Sequence, residues 1–481
     1  MPYSKTPVLQ TYETKRVNFI ANPQQRNGTT DKDFRLVNMM TEVIKSPVGD
    51  QKKYYVKSRP GVALAYSTAT GVGRGLYYWV ISGVGYAMAV VGNKVYSNGT
   101  AVLTLATSTG KCGFSEFVSS TGTVSLVLLD GTDGYVFSNP TTPVKITSAN
   151  FPTPHVPIPI FMDAYLFVAK ADSEDIYNSD LDNPALWTAG NYISAEMFPD
   201  KIVALSKNNN YIYAIGSGSI EYFYDAGNAT GSPLARHQSA VQQFGAASMS
   251  SVVQTETEVI FIGETNDGGH TVWTINGFKE KEIGIPAVKS IFLNEGDNIK
   301  NAYAFVVRVS GQKLYCINLS TRTMVYSFDT EMWSEWRTDS ANFFCGHAAD
   351  GPAGSAYMLH NTEGEVYIMD ENRFTDHDIP ITCQVISSKL DFDTINRKFM
   401  YRLSIIGDVP DDTLVDSAVM VSWSDDDYKT WSTPRTLKFT GDLPAIFQLG
   451  QFRRRAIKLT YSLPHLLRLE TIEVDINKGN A

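Results

Sequence analysis

Only four cysteines occur in 481 residues, Cys112, Cys316, Cys345 and Cys383, and they stand far apart with no C-x-x-C pair. That spacing supports neither a zinc site nor a thioredoxin-type motif, so each thiol reads as a small core residue in a reducing compartment. Long apolar runs are also missing. No stretch approaches the ~18 residues a membrane helix needs. The opening, MPYSKTPVLQTYETKR, has no apolar h-region. The expectation is therefore no signal peptide and synthesis in a cytoplasm, which makes the sequon Asn228-Ala229-Thr230 a chance match. Basic clusters are scarce too. The formal charge is -9, against the basic footprint of a sequence-reading DNA binder. Finally, no long segment carries convincing 3.6-residue periodicity.

What is present points to sheets. The chain is 43% apolar and 19% charged, hence globular, and its 25 Tyr and 24 Phe bring aromatics to 12%. With frequent Val and Thr, that mix suits pleated, half-buried surfaces. The length allows two or three domains, or one large β domain with appendages.

One pattern recurs: a hydrophobic strand, a polar turn and a second hydrophobic strand. The copies are Ala87–Gly99, Ser125–Ser138, Tyr165–Tyr177, Tyr211–Tyr224, Val259–Gly277, Tyr303–Leu319 and Ala356–Asp370. Their starts lie roughly 38 to 53 residues apart, the period of a propeller blade. No copy buries both faces alone; stacked radially, they cover one another. Turns such as Asn266-Asp267-Gly268-Gly269 and Ser310-Gly311 supply the positive φ that hairpins need.

The first sixty or so residues break the repeat. Phe151–Ile160 carries four prolines and reads as an extended connector between blades, because proline removes ladder donors. After Asp370 come five strand candidates without blade spacing: Ile381–Asp391, Lys398–Ile406, Ala418–Ser424, Arg435–Thr440 and Arg454–Tyr461. Their alternation suggests an antiparallel sandwich. The expected fold is all-β: a propeller of six or seven blades (63–377) with a sandwich platform made from the N-terminal (1–62) and C-terminal (378–481) segments.

Motifs for chemistry are few. Ser424, Asp426, Thr430 and Trp431 match an Asp-box, S-x-D-x-G-x-T-W, with Tyr428 in place of the glycine; its role is a structural turn. Gly71-Val72-Gly73-Arg74-Gly75 opens no helix, so it reads as a loop between strands and not a phosphate cradle. The seven histidines form no i, i+4 pair and no H-E-x-x-H. Asp411-Asp412 and Asp425–Asp427 read as solvated turn charges. Catalytic residues, cofactors and metals are therefore expected to be none. Arg453-Arg454-Arg455 is the one concentrated basic run, either a solvated edge or a dock for an acidic partner.

Several stretches, in order, carry a family resemblance. They are Arg35–Met40 (RLVNMM) followed by Ser58–Val62 (SRPGV), then Ser179–Pro184 (SDLDNP) with Trp187, Ala195-Glu196, Pro199-Asp200 and Ile202. Ser219–Phe223, Gly245–Ala247 through Phe261–Gly263, Val272–Gly277 and Ile283–Ala287 follow. Together they resemble the packaged-DNA stabilisation proteins, or tail hub (nozzle) proteins, of short-tailed phages. The resemblance implies a structural virion protein without turnover. It implies a ring of six copies below the portal and its adaptor protein, around a channel that retains packaged DNA and later passes it. A tailspike or fibre and a plug or needle protein would attach nearby, with no membrane insertion. Ring contacts would come from the platform's apolar Val17, Phe19 and Ile20, and Arg453, Arg454 and Arg455 are candidates for binding an acidic partner. A net charge of -9 suits a conduit along which DNA must slide. The rival readings are a sialidase-type propeller glycosidase, which needs an arginine cluster and a Tyr/Glu pair in the propeller mouth, and a cellular propeller scaffold.

Overall fold

The computed structural model describes residues 12–17, 35–45, 52–264, 268–338, 341–408, 418–439 and 444–479. The chain divides into two compact units. One is Val62–Tyr326 with Ser340–Glu371; the other is Met1–Gly61, Ser327–Asp339 and Asn372–Ala481. Ser327–Asp339, which the repeat-based boundary places in the propeller, thus groups with the terminal segments.

The first unit is a propeller of seven antiparallel sheets. Blade 1 is Gly73–Ile81, Val84–Val91, Lys94–Ser97 and Thr100–Thr104. Blades 2, 3 and 4 start at Gly113, Ile160 and Ile202 and have four strands each. In blade 5 the first strand is broken into Gly245–Ala246 and Val253–Gln254, both paired to Val259–Glu264. Blade 6 contributes Tyr303–Val309, Gln312–Asn318 and Thr323–Ser327. Blade 7 is Cys345–Asp350, Ala356–His360 and Val366–Asp370, and its outer strand comes from residues 62–66, ahead of blade 1.

In every sheet the first strand lies innermost, and these strands touch in a closed cycle. Gly73–Ile81 meets Gly113–Val118, then Ile160–Met162, Ile202–Asn208, Val253–Gln254, Tyr303–Val309, Cys345–Asp350 and Gly73–Ile81 again. Glycine sets how tightly they close. A Cβ at Gly113 would lie 2.1 Å from the Pro157 carbonyl oxygen, and one at Gly75 would lie 2.5 Å from that of Cys112. Between blades, alternate residues interdigitate. Met88, Val90 and Val95 of blade 1 pack on Leu126, Leu128 and Phe137 of blade 2, and Phe117 and Val127 of blade 2 pack on Leu166 and Val168 of blade 3. Each such side chain, fully buried, contributes about 1.5–3 kcal/mol.

The repeat is the second and third strands in six blades. In blade 6 the copy Tyr303–Leu319 is instead the first and second strands, Tyr303–Val309 and Gln312–Asn318. The cause is an insertion before it: the helix Pro286–Glu295 and the short 3-10 turn Gly296–Asn301. This is the one α-helix among the described residues. Its signals are local: Pro286 at its first turn, where a missing N–H costs nothing, and buried Ala287, Val288, Ile291 and Phe292 on one side.

The second unit is a β-sandwich. One sheet runs Met39–Lys45, Lys52–Ser58, Arg468–Lys478, Lys398–Asp408, Ala445–Phe452, with Glu13–Val17 also on Arg468–Lys478. The other sheet's strands in this unit run Met332–Thr338, Arg35–Val37, Cys383–Ile386, Ala456–Tyr461, Ala418–Ser424, Arg435–Lys438. Leu36, Val385, Val421 and Leu459 from one face Val56, Leu403, Ile472 and Val474 from the other in a single core. Val17 corrects an expectation. It is buried at 4% exposure in that core, opposite Ile472, because the short strand ending there pairs along the central Arg468–Lys478 strand. It is not a free apolar contact. Phe19 and Ile20 lie outside the described residues.

Candidate functional site

The propeller's inner strands line a half-open pocket of about 480 Å³. Its wall includes Tyr77, Lys111, Phe114, the proline-rich connector at Pro157-Ile158-Pro159, Val306, Arg308, His347 and Asp350. The proline connector thus has a definite place: its Pro157 carbonyl lies against Gly113. Arg308 is neutralised by ion pairs to Asp350 and Glu256. Lys111 has no such partner, and enclosure by protein pushes its ammonium down to about 8. Across the first strand of blade 1, burial and the nearby Lys111 charge hold His347 down to about 4, partly offset by the Gly73 carbonyl. Tyr77 stacks on Phe114 at 5.9 Å and its hydroxyl donates to Glu116 at 3.1 Å; burial, with that carboxylate, pushes the phenol up.

Just behind this wall sits Arg74, from the glycine-rich stretch read as a loop. The inner strand of blade 1 already begins at Gly73. Arg74 is 1% exposed and donates to the carbonyls of Gly92, Thr107, Thr109 and Gly110 at 2.7–2.9 Å. It gathers two loops of backbone acceptors that would otherwise be buried unpaired. In blade 3, the Ser179–Pro184 motif is a corner: Asp180 accepts from Thr188 and Asn191 at 3.0 and 3.1 Å. The Trp187 indole N–H donates to the Pro184 carbonyl at 3.0 Å, and Asp182 accepts from Ser120 of blade 2.

In the platform, the two N-terminal motifs meet. Arg59 of SRPGV, fully buried, is bidentate to Asp376 at 2.9 and 2.5 Å and donates to the Asn38 side-chain oxygen of RLVNMM at 3.0 Å. Asn38 in turn donates to the Thr382 carbonyl at 2.8 Å. These motifs are therefore one buried polar knot. Sequence spacing alone did not reveal it, because Asp376 is 317 residues from Arg59.

The Asp-box-like turn closes as its chemistry requires. The Asp426 carboxylate accepts from the Thr430 N–H at 2.9 Å and hydroxyl at 2.5 Å, and from the Ser424 hydroxyl at 2.9 Å. Those donors hold it down at about 2. Tyr428, at the glycine position, has φ +64°. A side chain there is strained, but its buried hydroxyl donates to the Ser387 carbonyl at 2.9 Å and its ring meets Trp431 edge-on at 6.0 Å. Lys458 lies 4.3 Å over Trp431.

Of the arginine run, Arg453 and Arg454 are exposed in a bend, and Arg453 donates to the Ile395 carbonyl at 2.8 Å. Arg455 is a correction. It is 1% exposed, bidentate to Asp425 at 2.7 Å on both nitrogens, and sandwiched by Phe452 and Trp423 at 4.4 and 5.3 Å. It cannot reach a docking partner. Asp425 likewise is a buried arginine's counterion and not a free turn charge; Asp411 and Asp412 lie outside the described residues. The four cysteines are buried and form no disulfide. Among the described residues no group of three His, Cys, Asp or Glu is placed to hold a metal ion, and no helix is long and apolar enough to cross a membrane.

A family model described as Bacteriophage P22 Gp10, beta-propeller, matches residues 25–344. The chain belongs to this family. It is a phage structural tail protein, a virion component of the tail-stabilisation kind. The match covers the polar knot's Asn38 and Arg59 and all but the last blade. No curated protein matches the chain in sequence. Among solved structures, the extracellular domain of the one-component system BT4673 from B. thetaiotaomicron shares 11% identity at TM-score 0.41, covering 71% of this chain and 43% of that one. A streptogramin B lyase shares 11% identity at TM-score 0.40, covering 66% and 98%. The Myceliophteria thermophila Cps50 (Swd1) β-propeller domain shares 8% at 0.40, covering 64% and 98%.

Proposed function

We propose that this P22 Gp10-family protein is the tail hub: a ring of copies, six in number, joined below the portal adaptor. The ring closes the DNA channel after packaging, anchors tailspikes or fibres, holds a plug or needle protein, and passes DNA on ejection without catalysing a reaction. Family membership over most of the chain carries this reading. On this reading DNA runs along an axis between copies, which calls for a heterologous, ring-closing interface. The propeller then acts as solid wall, and its covered strand edges suit a part under load.

The test uses adaptor-capped portals, the purified chain and electron microscopy. Six copies are expected to add as a ring, and particles assembled without the chain are expected to package DNA and then leak it. A chain that never joins capped portals, together with particles that retain DNA without it, would overturn the proposal.

A further inference from the structure

The propeller's rim is left open and apolar at one seam. Blade 2 turns the row Val127, Val136, Val144 toward blade 3, and blade 3 turns the row Val168, Tyr177, Tyr192 toward blade 2. The inner members, Val127 and Val168, are fully buried in one cluster with Trp187. The outer members are not: Val144 is 61% exposed and Tyr192 is 45% exposed. The loop joining the last two strands of blade 3 lies across this seam, because Asp182 accepts from the Ser120 N–H at 2.5 Å and hydroxyl at 2.6 Å in blade 2. That loop adds Leu181 and Leu186, both exposed. Four large apolar side chains thus meet water at one corner, and grouped exposed apolar surface marks an interaction site. The next seam is finished differently: there Phe223 pairs with Arg236, which is tied to Glu221 at 2.7 Å.

The corner is also acidic. Asp180 and Asp182 flank Leu181, and they accept from Thr188, Asn191 and Ser120, all neutral. The platform carries a corner of opposite sign. Ile395 is 74% exposed, and Arg453 donates to its carbonyl at 2.8 Å, so the isoleucine stands beside the exposed Arg453-Arg454 bend. Arg397 is exposed in the same loop, and the three arginines outweigh Asp391 and Asp393 there. A heterologous contact needs two different, complementary surfaces on every copy. An acidic apolar corner and a basic apolar corner form such a pair. We propose that they are the two halves of the ring-closing interface. Ile395 of one copy seats against Leu186 and Tyr192 of the neighbouring copy, and Arg453 and Arg454 face Asp180 and Asp182. This inference rests on the ring proposed above and names its contact. The apolar anchors supply the burial, and the charges fix register and steer the encounter.

The test fills adaptor-capped portals with the full chain carrying Val144→Cys and Ile395→Cys, then adds a short, flexible bis-maleimide. Both positions are exposed, and the four native cysteines are buried. Denaturing gels are expected to show a ladder of linked copies rising to the whole ring, and none from either single-cysteine chain. Arg453→Glu with Arg454→Glu is expected to raise the concentration that fills the ring about tenfold or more, as acid then faces acid. Leu186→Lys alone weakens filling too, and in the same chain as the two glutamates it restores part of the loss. A ring that fills but yields no ladder, or that fills unchanged with both glutamates, would overturn this contact and leave the ring standing. An unmutated chain that never fills capped portals would overturn the ring itself, and this contact with it.

Discussion

The propeller and the platform solve the same problem, covering β-sheet faces, at opposite ranges along the chain. In the propeller blades 1 to 6 are each a run of neighbouring strands, and even the buried Arg74 finds its carbonyls within 36 residues. In the platform the sheets interleave strands from both ends of the chain. The Thr471 hydroxyl donates to the Val17 carbonyl at 2.8 Å across 454 residues. Two buried arginines illustrate the contrast. Arg74 uses backbone acceptors that local loops supply, whereas Arg59 needs a carboxylate from 317 residues away. Local pairing lets blades 1 to 6 form one after another. The platform must wait for the last strand, and such non-local pairing is intrinsically slow.

This contrast can be broken experimentally. The largest effect is expected from Arg59→Met, which strands the buried Asp376 carboxylate and should cost the platform about 3–5 kcal/mol. Hydrogen exchange should show the loss in strands such as Arg468–Lys478, with blade 2 protected as before. Equal loss in both units would show that they do not unfold separately. Next is Gly113→Val in the propeller, where overpacking against the Pro157 carbonyl should cost about 1–3 kcal/mol, with the pattern of protection reversed. Tyr428→Phe removes the hydrogen bond to Ser387 and should lower the platform's stability, measured by urea unfolding, by about 1 kcal/mol.

A last effect appears only in acid. His347 titrates near 4 when folded and near ~6.5 when unfolded. The unfolded chain therefore takes up the proton first, so His347 leaves stability intact above about pH 6.5 and drains it between there and about 4. Thermal melts should show a shallower acid loss for His347→Gln than for the wild type. An identical slope would show that His347 does not enter the balance.

The propeller was legible because period-2 alternation and glycine-rich turns are local signals. Six of seven copies mark the same two strands. The remaining copy, in blade 6, is shifted by one strand where an inserted helix lengthens the approach, and a repeat search sees hairpins but not their radial order. In the platform, Ala418–Ser424 and Lys398–Asp408 showed their alternation. Ala445–Phe452 and Arg468–Lys478 did not stand out, although the second is the central strand of its sheet. Arg455 looked like one of three surface arginines, and nothing local distinguishes it from Arg453. Its burial is decided by Asp425, 30 residues upstream, and by two rings that the fold brings around it. Val17 was misread for the same reason: its cover, Ile472, comes from the other end of the chain.

Blade 7 borrows its outer strand from residues 62–66, and that arrangement sets a clock on synthesis. The borrowed strand leaves the ribosome before any blade exists, but its partner, Val366–Asp370, emerges some three hundred residues later. At ~5–20 residues per second, the wait is roughly 15 to 60 s. Throughout it, a nascent chain carries a lone apolar strand with an open edge, able to pair with a neighbouring nascent copy as readily as with its own last blade. Faithful closure of the circle is then a matter of translation speed and of what shields that strand in the meantime.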